Sequence, residues 1–300
     1  MAQARTQAKE HHIVSFLQRE WASTSKESGR PLIVGFQGPQ GSGKSYTCAR
    51  VAEALAHASP PLRVVVFSLD DLYLPHDQLT AVALRYPTNP LLHGRGQPGT
   101  HDVDIGTKIL QDFRDNASTI RIPVYDKSAH EGLGDRLPSW HVIEGAVDIV
   151  LFEGWCLGFH SVPMSVLQRT MEVAKDVTPA PAYAAYTLQD VSLINQELAV
   201  WEQAWYPLLD AFIQLYPITP PGTSPWSLVY AWRLEAEHTM KQRNGGHGMT
   251  DEQVKAFVQR YLPSYELFTL DLRSASSRWH GHGMRIEIQA DRSAQAIEYT

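Results

Sequence analysis

Cysteine is scarce in this chain: Cys48 and Cys156 are the only two among 300 residues. Far apart and each beside an apolar segment, they suit buried free thiols in a reducing compartment better than a disulfide framework. Long hydrophobic runs are absent as well, and no stretch approaches the ~18 apolar residues that a membrane span needs. Nor is there a basic excess. The formal net charge is -6, which argues against a nucleic-acid partner and makes any anion site a local one. Internal repeats and low-complexity tracts are also missing. The N-terminal MAQARTQAKEHHIVSFLQREW lacks the apolar core of a secretory signal, and Glu10 interrupts its basic opening. A soluble cytoplasmic protein is the expectation, with an organellar transit segment as the alternative. The oligomeric state is left open.

What is present is an ordinary globular composition, 43% hydrophobic and 19% charged. The length suits one large α/β domain with insertions, or two small domains. Ile13, Val14, Phe16, Leu17 and Trp21 recur at helical intervals, so the spacing predicts a helix over 11–21. A polar linker, STSKESGR, follows and closes a first segment at 1–30. LIVGF (32–36) has the continuous apolar run of a strand covered on both faces. A Gly-rich turn leads to a helix over 44–58 with Cys48, Val51, Ala52 and Leu55 on one face, and RVVVFSL (63–69) is a second strand ending at Asp70-Asp71. Strand, helix, strand implies a right-handed crossover and a parallel sheet.

Further on, 104–115 reads as a helix, 147–154 as a central strand and 195–216 as a helix running into a strand. A helix over 227–243 is stopped by Asn244-Gly245-Gly246, and one over 251–262 opens with the capping pattern of Thr250 and Gln253. RIEIQA (285–290) supplies a last strand, while TPAPAYAAY (178–186) looks like a loop insertion. This alternation predicts a doubly wound α/β fold, a mainly parallel sheet flanked by helices.

Gly38-Pro39-Gln40-Gly41-Ser42-Gly43-Lys44-Ser45 matches G-x-x-x-x-G-K-[ST] between a strand and a helix, the context that gives the pattern meaning. Its glycines let backbone N–H groups turn in around phosphate oxygens, and the helix N-terminus adds partial positive charge. The expected cradle for ATP runs from Gly38 to Tyr46. Lys44 would reach the β- and γ-phosphates, and the Ser45 hydroxyl would hold Mg²⁺. A Gly-rich turn without a ligand is the plainer reading. Glu153, ending the apolar run before it, is placed to hold the magnesium ion or its water, unless it caps a neighbouring helix. Asp70 and Asp71 should emerge at the carboxyl edge of the sheet, where open α/β folds bind ligands. One of them is the candidate base that orients an acceptor hydroxyl, and a turn-forming Asp-Asp is the alternative.

After the phosphate loop, FSLDDLYL, RGQPGTHD, IPVYDKSAHEGLGDR, LFEGWCLGF, YAWRLEAE and GMTDEQVKAFVQRYLPSY follow in that order. The set resembles the D-glycerate 3-kinase family of plants and its fungal relatives, in the phosphoribulokinase and uridine kinase branch of P-loop kinases. The resemblance covers about residues 30–290. It implies a P-loop kinase domain over 31–300 that uses ATP and Mg²⁺ to phosphorylate a small hydroxyl-bearing acceptor, with D-glycerate as the leading candidate. A nucleoside, a pantothenate-like alcohol or a sugar phosphate is the alternative acceptor. An ATP-operated regulatory protein with only slow hydrolysis is the alternative from another class. The segments near 174–193 and 216–226 are longer than in the plant pattern.

An acceptor with one carboxylate and two hydroxyls asks for a cation, polar anchors and a base near the primary hydroxyl. In the acceptor-site segment 85–140, Arg95, Thr100, His101 and Asp102 surround a Gly-Pro turn, although Asp102 or Asp104 could simply cap the following helix. His101 reads as a hydrogen-bond donor to substrate, not a metal ligand, since no second His or Cys lies at ligand spacing. Tyr125 and Asp126 suit hydroxyls, and their segment is similar to one in uridine kinases that lies against the acceptor. Lys127 and Arg136 suit a carboxylate or phosphate. Too charged for a core strand, the stretch 122–136 could also be a solvated loop whose charges pair among themselves. In 227–250, Arg233, Glu237 and Lys241 recur every four residues, as surface ion pairs do. The resemblance makes this segment a helical lid, with Arg233 neutralising charge in the transition state. Leu198, Trp201, Trp205 and Leu208 read as a buried helical face.

Overall fold

The apolar runs LIVGF and IVLF become neighbouring central strands of a six-stranded sheet, buried at every position. A computed structural model describes residues 2–243, 245 and 248–300. In chain order the strands are β1 (Leu32–Gln37), β2 (Val64–Ser68), β3 (Thr119–Asp126), β4 (Asp135–Glu144), β5 (Ile149–Gly154), β6 (Ala211–Pro217), β7 (Gly283–Ile288) and β8 (Ala294–Tyr299). The helices are α1 (Ala2–Ser28), α2 (Lys44–Ala56), α3 (His76–Arg85), α4 (Val103–Arg114), α5 (Met164–Val173), α6 (Leu188–Ala204), α7 (Ser227–Arg243), α8 (Asp251–Gln259) and α9 (Leu262–Phe268).

The main sheet has the order β2-β5-β1-β6-β7-β8, parallel from β2 to β7 and closed by an antiparallel β8. Successive side chains on a strand face opposite layers. Leu32, Val34 and Phe36 therefore pack with Phe16 and Leu17 of α1 and Val51 and Leu55 of α2. Ile33, Val150 and Phe152 face the other way, onto Ile109 and Phe113 of α4, Trp201 of α6 and Trp205, which caps that helix. The doubly wound, mainly parallel architecture expected from the sequence is the one observed. Trp201 and Trp205 are packing residues, their ring centroids 4.7 Å apart. Both cysteines are free and buried. Among the described residues no helix is long and apolar enough to cross a membrane.

Several local expectations change. Helix α1 continues through the stretch read as a polar linker, because no breaker precedes Gly29, which takes φ +64 where the helix stops. The charged stretch 122–136 is not one loop. Its ends belong to β3 and β4, an antiparallel ribbon paired from Thr119↔Glu144 to Asp126↔Asp135 and separate from the main sheet. Ile120 and Ile122 are buried while β4 is largely solvated, so charge excludes a central strand but not a ribbon with one wet face. The helix expected over 251–262 divides into α8 and α9, since Pro263 has no N–H to continue a helix and sits in the first turn of α9. Strand β8 was not foreseen. The stop at Asn244-Gly245-Gly246 falls partly on Asn244 and Gly246, which lie outside the described residues.

Strand order determines what meets at the carboxyl edge. Because β5 lies between β1 and β2, Glu153 stands opposite Phe36 on one side and Ser68 on the other. The loop after β1, the end of β5 and the turn after β2 thus converge.

Candidate active site

Gly38 leaves β1 into a loop in which Gly41 and Gly43 adopt φ +78 and +85. Gly43 is the N-cap of α2 and supplies no capping side chain, so the amides of the first helical turn have no intrahelical acceptor and are free for an anion. From that turn, Ser45 Oγ donates to Glu153 Oε1 at 2.8 Å, and Lys44 Nζ lies 3.7 Å from Glu153 Oε2. Tyr46 is exposed beside them. Glu153 itself is only 4% exposed, and among the described residues its Oε2 has no hydrogen-bond partner. A hydroxyl and an orphaned carboxylate oxygen are hard donors that fit Mg²⁺, an ion that keeps water and phosphate oxygens as its other ligands.

The two carboxylates after β2 take different environments. Asp71 completes a capping box: its Oδ2 accepts from Ser68 N at 3.2 Å, while Ser68 Oγ accepts from Asp70 N at 3.2 Å. Burial pushes the Asp71 carboxyl up. Asp70 instead pairs with Lys127. Burial would raise its pKa too, but the charges of Lys127 and Lys44 outweigh burial and hold it below the ordinary value.

His101 is 5% exposed, its ring 4.5 Å from that of Tyr73 and edge-on to Trp201 at 5.0 Å. Burial pushes its pKa down to about 3, so the imidazole is neutral. Tyr125 packs edge-on to Tyr73 at 5.3 Å, and burial pushes its phenol up to about 12. Among the described residues, both ring nitrogens of His101 and the Tyr125 hydroxyl are buried without hydrogen-bond partners. Two neutral groups near Asp70 therefore have unspent hydrogen-bonding capacity.

Other expected site residues spend most of their polar atoms within the protein, although among the described residues Arg136 Nε and Arg233 Nε are buried without hydrogen-bond partners. Asp102 caps α4 by accepting from Ile105 N at 3.1 Å, and its other oxygen takes a bond from Arg136 Nη1 at 3.1 Å. Arg136 Nη2 also donates to Tyr73 O at 3.0 Å. Thr100 closes its own turn, donating to Gln97 O at 2.7 Å and accepting from Gly96 N at 3.0 Å. Asp126 holds a local turn through Ser128 N and Oγ at 2.8 and 2.6 Å. Arg95 ties down the connection between β3 and β4, donating to the carbonyls of Gly132, Leu133 and Lys127. Arg233 pairs with Glu237 at 2.8 Å and lies over the Phe257 ring of α8. The residue of α7 that reaches the phosphate loop is its neighbour Trp232, whose Cβ lies 2.5 Å from where a Gly41 Cβ would be.

Sequence patterns had not pointed to the bracing of this site from α8 and α9. Gln40 N donates to the Tyr265 hydroxyl at 3.0 Å, and Gln97 bonds both Arg260 O and Ser264 Oγ at 2.5 and 2.6 Å. Only the clustering of aromatic residues in RYLPSYELF hinted at it. Tyr73, three residues beyond Asp70, was similarly hidden in an apolar run.

No protein-family model matches the chain. Individual relatives do. The chain is 32% identical over 298 residues to the Saccharomyces cerevisiae protein named Probable ATP-dependent kinase TDA10, an alignment covering 96% of this chain and 95% of that one. It is 33% identical over 270 residues to the chloroplastic D-glycerate 3-kinase of Arabidopsis thaliana, covering 88% of this chain and 54% of the longer plant protein. The solved structure of D-glycerate 3-kinase from Cryptococcus neoformans var. grubii matches with a TM-score of 0.90 at 34% identity, over 97% of this chain and 99% of that one. Fold, phosphate loop and relatives together define a P-loop kinase. Within that class, the chain belongs to the D-glycerate 3-kinase family.

Proposed function

We propose that the chain transfers the γ-phosphoryl group of ATP to the primary hydroxyl of D-glycerate, giving 3-phosphoglycerate and ADP. The observation that carries this reading is the pairing of Asp70 with Lys127, within the electrostatic reach of Lys44. It sets a carboxylate for a hydroxyl, and a cation for a carboxylate, beside the phosphate loop.

In this reading the free amides of α2 and Lys44 hold the triphosphate, and Ser45 with Glu153 would hold Mg²⁺, whose charge would offset that of the phosphates. Asp70 accepts a hydrogen bond from the acceptor hydroxyl and aims its lone pair at the γ-phosphorus. It takes the proton as the new O–P bond forms and the bond to ADP breaks. Lys127 leaves Asp70 for the substrate carboxylate. Burial then acts on Asp70 without that cation and raises its proton affinity when a base is needed. Neutral Tyr125 and His101 hydrogen-bond the second hydroxyl or the carboxylate. Arg136, Asp102, Asp126, Thr100 and Arg95 shape the wall behind them. Arg233, the expected lid residue, exchanges Glu237 for a phosphate oxygen when nucleotide binds.

Asp70 is held below its ordinary value, so the acid limb that it gives to log kcat/KM for the acceptor should lie below the usual aspartate range. Lys127→Met removes the nearest cation but not the burial, and should bring the limb to higher pH. A limb that does not move in this variant would mean that Lys127 does not control Asp70. The acceptor is tested by coupled ADP release with D-glycerate, uridine, pantothenate and ribulose 5-phosphate. D-glycerate should give the highest kcat/KM, and turnover with uridine but not D-glycerate would overturn the assignment.

A further inference from the structure

The outer face of the phosphate loop is held by residues that neither motif spacing nor the family resemblance singled out. Arg292 lies in the turn between β7 and β8 with φ +65, an uncommon backbone for a long side chain. Its Nε donates to Gly41 O at 2.6 Å, and its Nη2 donates to Glu235 of α7 at 2.7 Å. The turn is tied from two further sides. Lys9 of α1, 2% exposed, donates to Arg292 O at 3.1 Å. Trp232 Nε1 donates to Ala290 O at 2.7 Å.

What Arg292 grips is a single peptide plane. The Gly41 carbonyl points to the guanidinium, and the N–H of the same peptide, that of Ser42, donates to Pro39 O at 3.1 Å. The plane is fixed at both ends. A positive φ at Gly41, third residue of the Pro39–Ser42 turn, is what a type II turn requires. Since peptides are planar, only the dihedrals of Ser42 and Gly43 lie between this plane and the Lys44 amide at the start of α2. Holding the plane thus aims the amides that face a phosphate. A guanidinium bonded to a carbonyl is a stronger tether than a neutral donor, and its planar fork serves Gly41 and Glu235 at once, as an ammonium would not.

We propose that the turn 289–293 is a clamp on the phosphate loop and that Arg292 is a positioning residue for nucleotide, acting through the Gly41 carbonyl. The proposal rests on reading this loop as the ATP site. It couples the N-terminal helix, through Lys9, and α7, through Glu235 and Trp232, to the same peptide.

The test is steady-state kinetics with MgATP and acceptor varied in turn, together with MgADP titration and Tm, on the wild type, R292A, R292K and E235A. R292A is expected to raise KM for ATP and weaken MgADP binding about tenfold, with the acceptor KM and Tm little changed. R292K should fall between R292A and wild type, and E235A should raise KM for ATP about threefold. If R292A does not fold, the graded effect on ATP in R292K and E235A carries the test. An unchanged KM for ATP, or a lower Tm with both KM values unchanged, overturns the clamp while leaving the loop's assignment intact. A wild-type protein that fails to bind MgADP overturns that assignment itself.

Discussion

Asp70→Asn is expected to lower kcat by about 10²- to 10⁴-fold, the span typical of a lost general base, while MgADP still binds. The asparagine keeps the size of the side chain and one carbonyl-type oxygen for orientation, but it cannot take the acceptor's proton. Asp71→Asn should change kcat by less than about fivefold, the size of effect expected for one modest hydrogen bond. The difference follows from the turn after β2. Asp71 is committed to Ser68 N in a capping box, a bond that an amide oxygen can also accept, whereas Asp70 meets Lys127 and the field of Lys44. Steady-state kcat beside MgADP titration separates the outcomes. Equal and small losses in the two variants would remove Asp70 from the base role.

Lys44→Met should lower kcat/KM for ATP by about 10²- to 10³-fold, as for other preorganised groups that stabilise transition-state charge. Lys44 Nζ is 3.7 Å from Glu153 Oε2 before any nucleotide arrives, so the ammonium is already held where the phosphates and the metal would meet. Methionine preserves the stem and removes the charge, leaving the buried Glu153 with Ser45 alone. Lys44→Arg should also be poorly active, because a planar fork does not occupy the space of a compact ammonium. Retention of more than a tenth of wild-type kcat/KM in Lys44→Met would contradict the role given to this loop.

The sequence was most legible where chemistry needs a local pattern. The glycines and Lys44-Ser45 stand between a strand and a helix, and Glu153 ends a continuous apolar run, so their convergence follows from chain order and the parallel sheet. The apolar stripe through Trp201 and Trp205 likewise announced a buried helix. Legibility failed where an outcome depends on which distant group a side chain meets. Nothing local tells Asp70 from Asp71, because the choice is made by how a short turn winds. Asp102 and Arg136 each looked ready for a ligand, but β4 carries Arg136 to within 3.1 Å of Asp102, and they pair with each other. The four-residue spacing of Arg233 and Glu237 did describe a real ion pair, which turns Arg233 toward α8. A lone arginine in ADRSAQ has no pattern at all. Its contact with Gly41 exists only because β7 and β8 deliver that turn to the phosphate loop.

Product identification is the most direct test of the proposed reaction. The protein is incubated with ATP, Mg²⁺ and D-glycerate, ADP is quantified, and the phosphorylated product is assigned by phosphorus and proton NMR. The expected result is a phosphomonoester on the 3-hydroxyl, formed in step with ADP and absent when D-glycerate is omitted. ADP release that does not depend on D-glycerate, or a phosphoryl group on the 2-hydroxyl, would contradict it.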